Sequence, residues 1–198
     1  RQPIQIYYTL SSCVPATAME TAGACLTAAD LEPFMDHDRF LGLAEMMNFP
    51  GVIQADAAVL QKIALARSAG KPVDGHCPGL SGKALNAYLA AGIASDHECT
   101  TADEAHEKLA GGMYIMVREG TAAKNLEDLF EVITPRTYRR MMWCTDDRHP
   151  HDLLAEGSID FILRRAIQKG LDPITAVTMA TLIPADYFGL GNAGAIAP

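Results

Sequence analysis

The chain has no apolar stretch of 18 residues or more, which argues against a membrane-crossing helix. Its opening run, R-Q-P-I-Q-I-Y-Y-T-L, lacks the long apolar core and small-residue cleavage site of a signal peptide. Basic residues are few and unclustered. Sixteen Lys and Arg stand against 24 Asp and Glu, for a net charge of −8, so neither a nucleic acid nor a membrane is expected as a partner. Five cysteines (Cys13, Cys25, Cys77, Cys99 and Cys144) form an odd set without a C-x-x-C pair. That argues against a disulfide framework and against a structural zinc knuckle. Reduced thiols in a cytoplasmic protein are the expectation. No internal repeat or low-complexity tract interrupts the chain.

What is present is a composition able to fold: 49% hydrophobic and 20% charged over 198 residues, enough to bury a core without disulfides. Two periodicities alternate along it. Short apolar runs suited to buried strands fall at 4–10, 40–46, 72–76, 93–97, 113–118 and 140–145. Helical patterns fall at 57–68, 82–91, 101–110, 122–133, 158–169 and 173–179. Near-continuous apolar strands separated by helices indicate an α/β fold whose parallel strands are covered on both faces. Two architectures compete, a doubly wound open sheet and a closed (β/α)8 barrel of the TIM type. No phosphate-binding G-x-x-x-x-G-K-[ST] occurs, and no G-x-G-x-x-G joins a candidate strand to a helix (G-L-G-N-A-G at 189–194 follows the last helical pattern). The nucleotide-binding versions of the open sheet lose support accordingly.

The polar residues favour the barrel, in which chemistry gathers at the C-terminal ends of the strands. Successive candidate strands end on Glu45, His76, His97, then Arg118 with Glu119, and finally Asp146 with Asp147. A lone histidine after a strand is more often a hydrogen-bonded loop residue, and a lone aspartate before a helix is more often its cap. Two histidines and two acids at four separate strand ends are a different matter, because imidazole and carboxylate are the ligands that hold hydrolytic divalent metals. His37, in a turn, and His106, on a helix, are left out of that set. So are His149 and His151, which flank Pro150.

Several runs are long enough to compare with known families: L-S-S-C-V-P-A-T, G-L-A-E-M-M-N-F-P-G-V-I, D-G-H-C-P-G-L-S-G-K-A-L-N-A-Y, A-G-I-A-S-D-H-E-C-T-T, C-T-D-D-R-H-P-H-D-L and the closing M-A-T-L-I-P-A-D-Y-F-G-L-G-N-A-G-A-I-A-P. Together they resemble the adenine deaminases of the metal-dependent amidohydrolase superfamily, over essentially the whole chain. The resemblance implies a barrel represented here by about strands 3 to 8. It also implies that residues near 190–198 lead towards a small β domain. The implied activity is hydrolytic deamination of adenine to hypoxanthine and ammonia by a metal-activated hydroxide, a purine-salvage reaction on a small-molecule substrate. The implied cofactor is a binuclear divalent centre, manganese or iron, with zinc also compatible. Glu45, His76, His97 and Asp146 match its ligands, Glu45 standing where other members use a carboxylated lysine. Asp146 would also handle the proton of the attacking water. Glu98, which follows a matched ligand, has two readings that stay open, protonation of a ring nitrogen or an outward-facing salt bridge. Asp147, Arg118, Glu119 and Ser81 are the candidate substrate contacts; a cap for the following helix stays open for Asp147, and a mutual ion pair for Arg118 and Glu119. A homo-oligomer is implied for the full-length protein.

One family feature is not matched. The superfamily's first strand ends in an H-x-H metal pair, and no H-x-H precedes Glu45 in this chain; H-P-H at 149–151 comes after Asp147. Both ends of the chain read as cuts through a larger protein, and the expectation is that this polypeptide does not turn over alone. Two alternatives stay open: an amidohydrolase acting on another cyclic amide, as dihydroorotase does, or a non-catalytic barrel fragment. The H-x-E with P-C-x-x-C signature of the unrelated zinc deaminases is absent.

Overall fold

A computed structural model describes residues 3–196. The chain divides into two compact units, Arg1–Ser95 and Asp96–Pro198. Both are α/β and contain parallel strands.

The first unit holds β1 (Tyr8–Leu10), α1 (Ala28–Met35), β2 (Phe40–Met46), α2 (Phe49–Ile53), α3 (Ala57–Ser68), β3 (Val73–Gly75) and α4 (Gly82–Ala91). Its three strands lie in chain order, with β2 parallel to both neighbours and Met46 level with Gly75. Leu43, Met46 and Val73 from the sheet, Ile63 of α3, and Leu85 and Tyr88 of α4 are all buried in the core of this unit. Each such aliphatic side chain contributes about 1.5–3 kcal/mol on burial. Pairing starts only at Tyr8, opposite Phe40, so the expected strand at 4–10 shrinks to its last three residues. Ile4 and Ile6 ahead of it are exposed.

The boundary between units falls within β4 (Ser95–Asp96). The second unit continues with α5 (Ala102–Ala110), β5 (Tyr114–Arg118), α6 (Leu126–Leu129), β6 (Met141–Cys144), α7 (Pro150–Ala155), α8 (Ile159–Gln168), α9 (Pro173–Ala180) and α10 (Leu182–Tyr187). The strand order is β4-β5-β6, with β5 and β6 parallel from Ile115↔Met141 to Arg118↔Cys144. Ile115, Val117 and Met141 of the sheet, Ile162 of α8 and Met179 of α9 are all fully buried, and the Trp143 indole N–H donates to the Ala176 carbonyl at 2.9 Å. Among the described residues no helix is long and apolar enough to cross a membrane.

Four helices were not legible in the periodicity: α1, α2, α7 and α10. Each contains a proline: Pro33, Pro50, Pro150 and Pro184. Pro50 and Pro150 occupy the first turn, where the missing N–H would have had no helical partner. The expected helix at 122–133 forms only from Leu126, as α6 followed by a single 3-10 turn at Phe130–Val132. Residues 119–124 instead double back in an isolated antiparallel bridge, Glu119↔Lys124, and the Asn125 amide donates to the Arg118 carbonyl.

Candidate functional site

In the first unit the site is built on the ends of β2 and β3. The β2 run buries Leu43 and Met46, and Glu45 between them leaves its side chain 40% exposed. Glu45 Oε2 lies 2.9 Å from Nδ1 of His76, the residue that follows β3. Tyr88, fully buried on α4, ties these ends together: its hydroxyl donates to the Met46 carbonyl at 2.8 Å and accepts from the His76 amide at 3.0 Å. Gly75 sits so close to the chain at Ser95 that a Cβ would stand 2.0 Å from the Ser95 carbonyl oxygen. Only glycine permits that approach. The Ser95 hydroxyl completes the support, accepting from the Gly75 amide at 3.3 Å and donating to Asp74 at 3.0 Å. Ser81 is exposed at the N-cap of α4.

In the second unit His97 directly follows β4, Arg118 closes β5, and Asp146 comes just after β6. One donor atom from each of His97, Glu98 and Asp146 lies within 4.8 Å of the others. His97 Nε2 is 3.5 Å from Glu98 Oε1 and 3.9 Å from Asp146 Oδ2. The buried Arg118 guanidinium donates to both carboxylates, through Nη1 and Nη2 to Glu98 and through Nη1 to Asp146 Oδ2 at 2.8 Å. Its Nε donates to Asn125 Oδ1 at 3.2 Å. Burial alone would pull the guanidinium down, but the hydrogen bonds to Asp146 and Glu98 outweigh it and hold Arg118 above its ordinary pKa. Burial, and then the negative charge of Asp146, push the neighbouring Cys144 thiol up, so it stays a neutral thiol.

Asp146 adopts φ +55°, a left-handed conformation that few residues other than glycine tolerate. Its Oδ1 accepts from the Asp147 amide at 2.6 Å, which offsets part of the strain. Such backbone geometry concentrates at functional sites. Asp147 is exposed beyond this turn. Arg118 and Glu119, adjacent in sequence, serve different places. Glu119 is fully buried, and its Oε1 accepts from the Leu126 amide at 2.8 Å, away from the carboxylates that Arg118 binds. His37, His106, His149 and His151 are all exposed.

Residues that sequence reasoning did not single out carry much of this support. Tyr88 is one, and the only signal for it was a tyrosine on the apolar face of a helix. Lys108 and Asp96 are others, buried as an ion pair. Lysine at that position reads from sequence as a solvated residue four places after Glu104.

The donor chemistry fits a hard divalent cation, since imidazole nitrogen and carboxylate oxygen are its usual ligands. The sequence matches the model of the Amidohydrolase family over residues 1–198. The chain belongs to the amidohydrolase family. It is 59% identical over 196 residues to an adenine deaminase of Desulfatibacillum aliphaticivorans and 57% identical to an adenine deaminase of Nitratidesulfovibrio vulgaris (strain Hildenborough), with 99% of this chain covered in each case. The chain spans about a third of the length of these curated relatives, 34% in each. Among solved structures it resembles the β-aspartyl dipeptidase of Fervidobacterium islandicum AW-1, with a TM-score of 0.62, 15% identity, and coverage of 97% of this chain and 57% of that one. At that identity the likeness is one of fold. It places this amidohydrolase chain among structures of the TIM-barrel type.

Proposed function

We propose that this amidohydrolase chain belongs to an adenine deaminase, which hydrolyses adenine to hypoxanthine and ammonia, and that it supplies about strands 3 to 8 of an eight-stranded barrel. One observation supports the reading most. His97, Glu98 and Asp146 gather at strand ends with donor atoms within 4.8 Å of one another, in a chain 59% identical to an adenine deaminase. Glu45, His76, His97 and Asp146 are the residues that would hold a pair of divalent metals, manganese or iron, with zinc also compatible. When bound, such ions supply the Lewis acidity that makes water a nucleophile near neutral pH.

The protein's own groups do the rest. Asp146 takes a proton from the attacking water and passes it to the departing amine. Glu98, held from both oxygens by Arg118, relays the second proton of the attacking water to a ring nitrogen of the purine, so one water proton leaves with the amine and the other stays on the product ring. Arg118 fixes the directions of both carboxylates. Glu119 we assign to support, holding the Leu126 amide, whereas Asp147 and Ser81 are exposed and free to meet the substrate. Residues 190–198 lead, in this reading, towards a small β domain, although the last two lie outside the described residues. A cytoplasmic homo-oligomer is part of the same proposal.

The test is ammonia release from adenine by the full-length gene product reconstituted with Mn²⁺, beside the 198-residue chain alone. Turnover by the long form and none by the short one is expected. In the long form Asp146→Asn should lower kcat by at least about 100-fold, the lower end for loss of general acid–base help. A full-length protein that binds Mn²⁺ and leaves adenine intact would overturn the substrate, and an active Asp146→Asn would remove Asp146 from its role.

A further inference from the structure

Beside the His97–Glu98 segment lies a buried ion network that none of these roles uses. Lys108 of α5 is 0% exposed, although lysine is among the residues least often found fully inside a protein. Its ammonium donates to Asp96 Oδ2 at 2.9 Å and to Glu104 Oε1 at 2.6 Å. Asp96 is equally buried, and the same Oδ2 accepts from the Glu98 amide at 3.1 Å and from the Cys99 thiol at 3.4 Å. Glu104 uses its other oxygen to accept from the Thr100 amide at 3.1 Å. The α5 N-terminus is fixed independently, the Thr101 hydroxyl accepting from the Glu104 amide at 3.3 Å.

Replacing a buried ion pair with apolar side chains of similar volume is often neutral or better for stability. The network therefore adds little as glue. What it adds is direction. An ammonium anchored on a helix holds a carboxylate, and that carboxylate holds the backbone amide of Glu98, one residue past His97. We infer that Lys108 is a positioning residue: acting through Asp96, it fixes the backbone from which His97 and Glu98 reach the cluster with Asp146. The inference rests on the reading of that cluster as a metal site. Outer groups that orient ligands in this way typically govern metal affinity as strongly as they govern rate.

The experiment is Lys108→Met in the full-length protein, with Mn²⁺ affinity measured by calorimetry on the folded fraction and the Mn²⁺ paramagnetic resonance spectrum recorded alongside. Affinity should fall by about tenfold to a hundredfold, the range seen when outer-shell partners of metal ligands are lost, with an altered spectrum. Ile162→Ala, a core truncation in α8 of the same unit, separates positioning from stability: it should lower Tm and leave both readouts at wild-type values. If Lys108→Met does not fold, Asp96→Asn carries the test, since it keeps an acceptor for the Glu98 amide while removing the charge that Lys108 grips. A smaller fall in affinity is expected there. Wild-type affinity in the folded variants overturns the inference alone. Wild-type protein that binds no Mn²⁺ overturns the metal reading and the inference with it. A protein that binds Mn²⁺ in a Lys108-dependent way without deaminating adenine sustains the inference and removes only the substrate.

Discussion

In the first unit a carboxylate and an imidazole, Glu45 and His76, are held by the backbone. Gly75 packs against the Ser95 carbonyl, and one buried hydroxyl, Tyr88, bonds to the main chain at both strand ends. In the second unit the same two ligand types, with Glu98 and Asp146 as the carboxylates beside His97, are held by charge. Arg118 grips both carboxylates and Lys108 grips Asp96 behind them. The difference follows from the number of acids. Glu45 keeps 40% of its side chain exposed, so water screens much of its charge. Carboxylates gathered in a mostly buried corner would repel one another, and buried cations are what allow them to share it.

The comparison can be broken at several points. The largest effect is expected from Asp96→Ala, which leaves the Lys108 ammonium buried without that partner and should cost about 3–5 kcal/mol in urea unfolding. Gly75→Ala attacks the backbone-held region. Its new Cβ meets a carbonyl oxygen rather than a flexible side-chain end, so a loss of about 3 kcal/mol is expected, at the upper end for overpacking. An alanine that left stability unchanged would mean that β3 has room to shift. Tyr88→Phe keeps the ring and removes the hydroxyl, leaving the Met46 carbonyl and the His76 amide short of a partner, for about 1.5 kcal/mol.

Glu127→Gln is the reference at the small end. Glu127 pairs with Lys169 and Arg165 on the open surface, and the Lys169 hydrogen bond, reinforced by both positive charges, holds its carboxyl below the ordinary 4.5. A pKa lowered by folding stabilises above the unfolded value and loses that contribution as the pH falls through the folded one. Because the pair is solvent-exposed that contribution is small, so the Gln variant should lie at or just below wild type in Tm at pH 7, with the difference vanishing in acid. A clear Tm loss at pH 7 would show that surface charge matters here as much as buried charge.

Much of this was legible before any coordinates. The strand positions near Phe40–Met46, 72–76, 93–97, 113–118 and 140–145 follow from apolar runs, and Glu45, His76, His97, Arg118 and Asp146 fall at or just beside the C-terminal ends of those runs. The helices carrying Pro33, Pro50, Pro150 and Pro184 were hidden, because proline reads as a stop when its place within a turn is unknown. The partners were hidden as well. The sequence has Arg118 beside Glu119, yet alternation along the strand sends one to Glu98 and Asp146 and the other to the Leu126 amide.

By itself, then, the sequence determined the alternation of strands and helices and the residue types at the strand ends, because periodicity and composition are local properties. Only the tertiary structure decided which charges would be buried together. Lys108 meets Asp96 across 12 residues, and Arg118 meets Glu98 and Asp146 across 20 and 28, distances over which no helical or strand period operates. Burial gives those pairings their strength, and burial is a property of the packed chain.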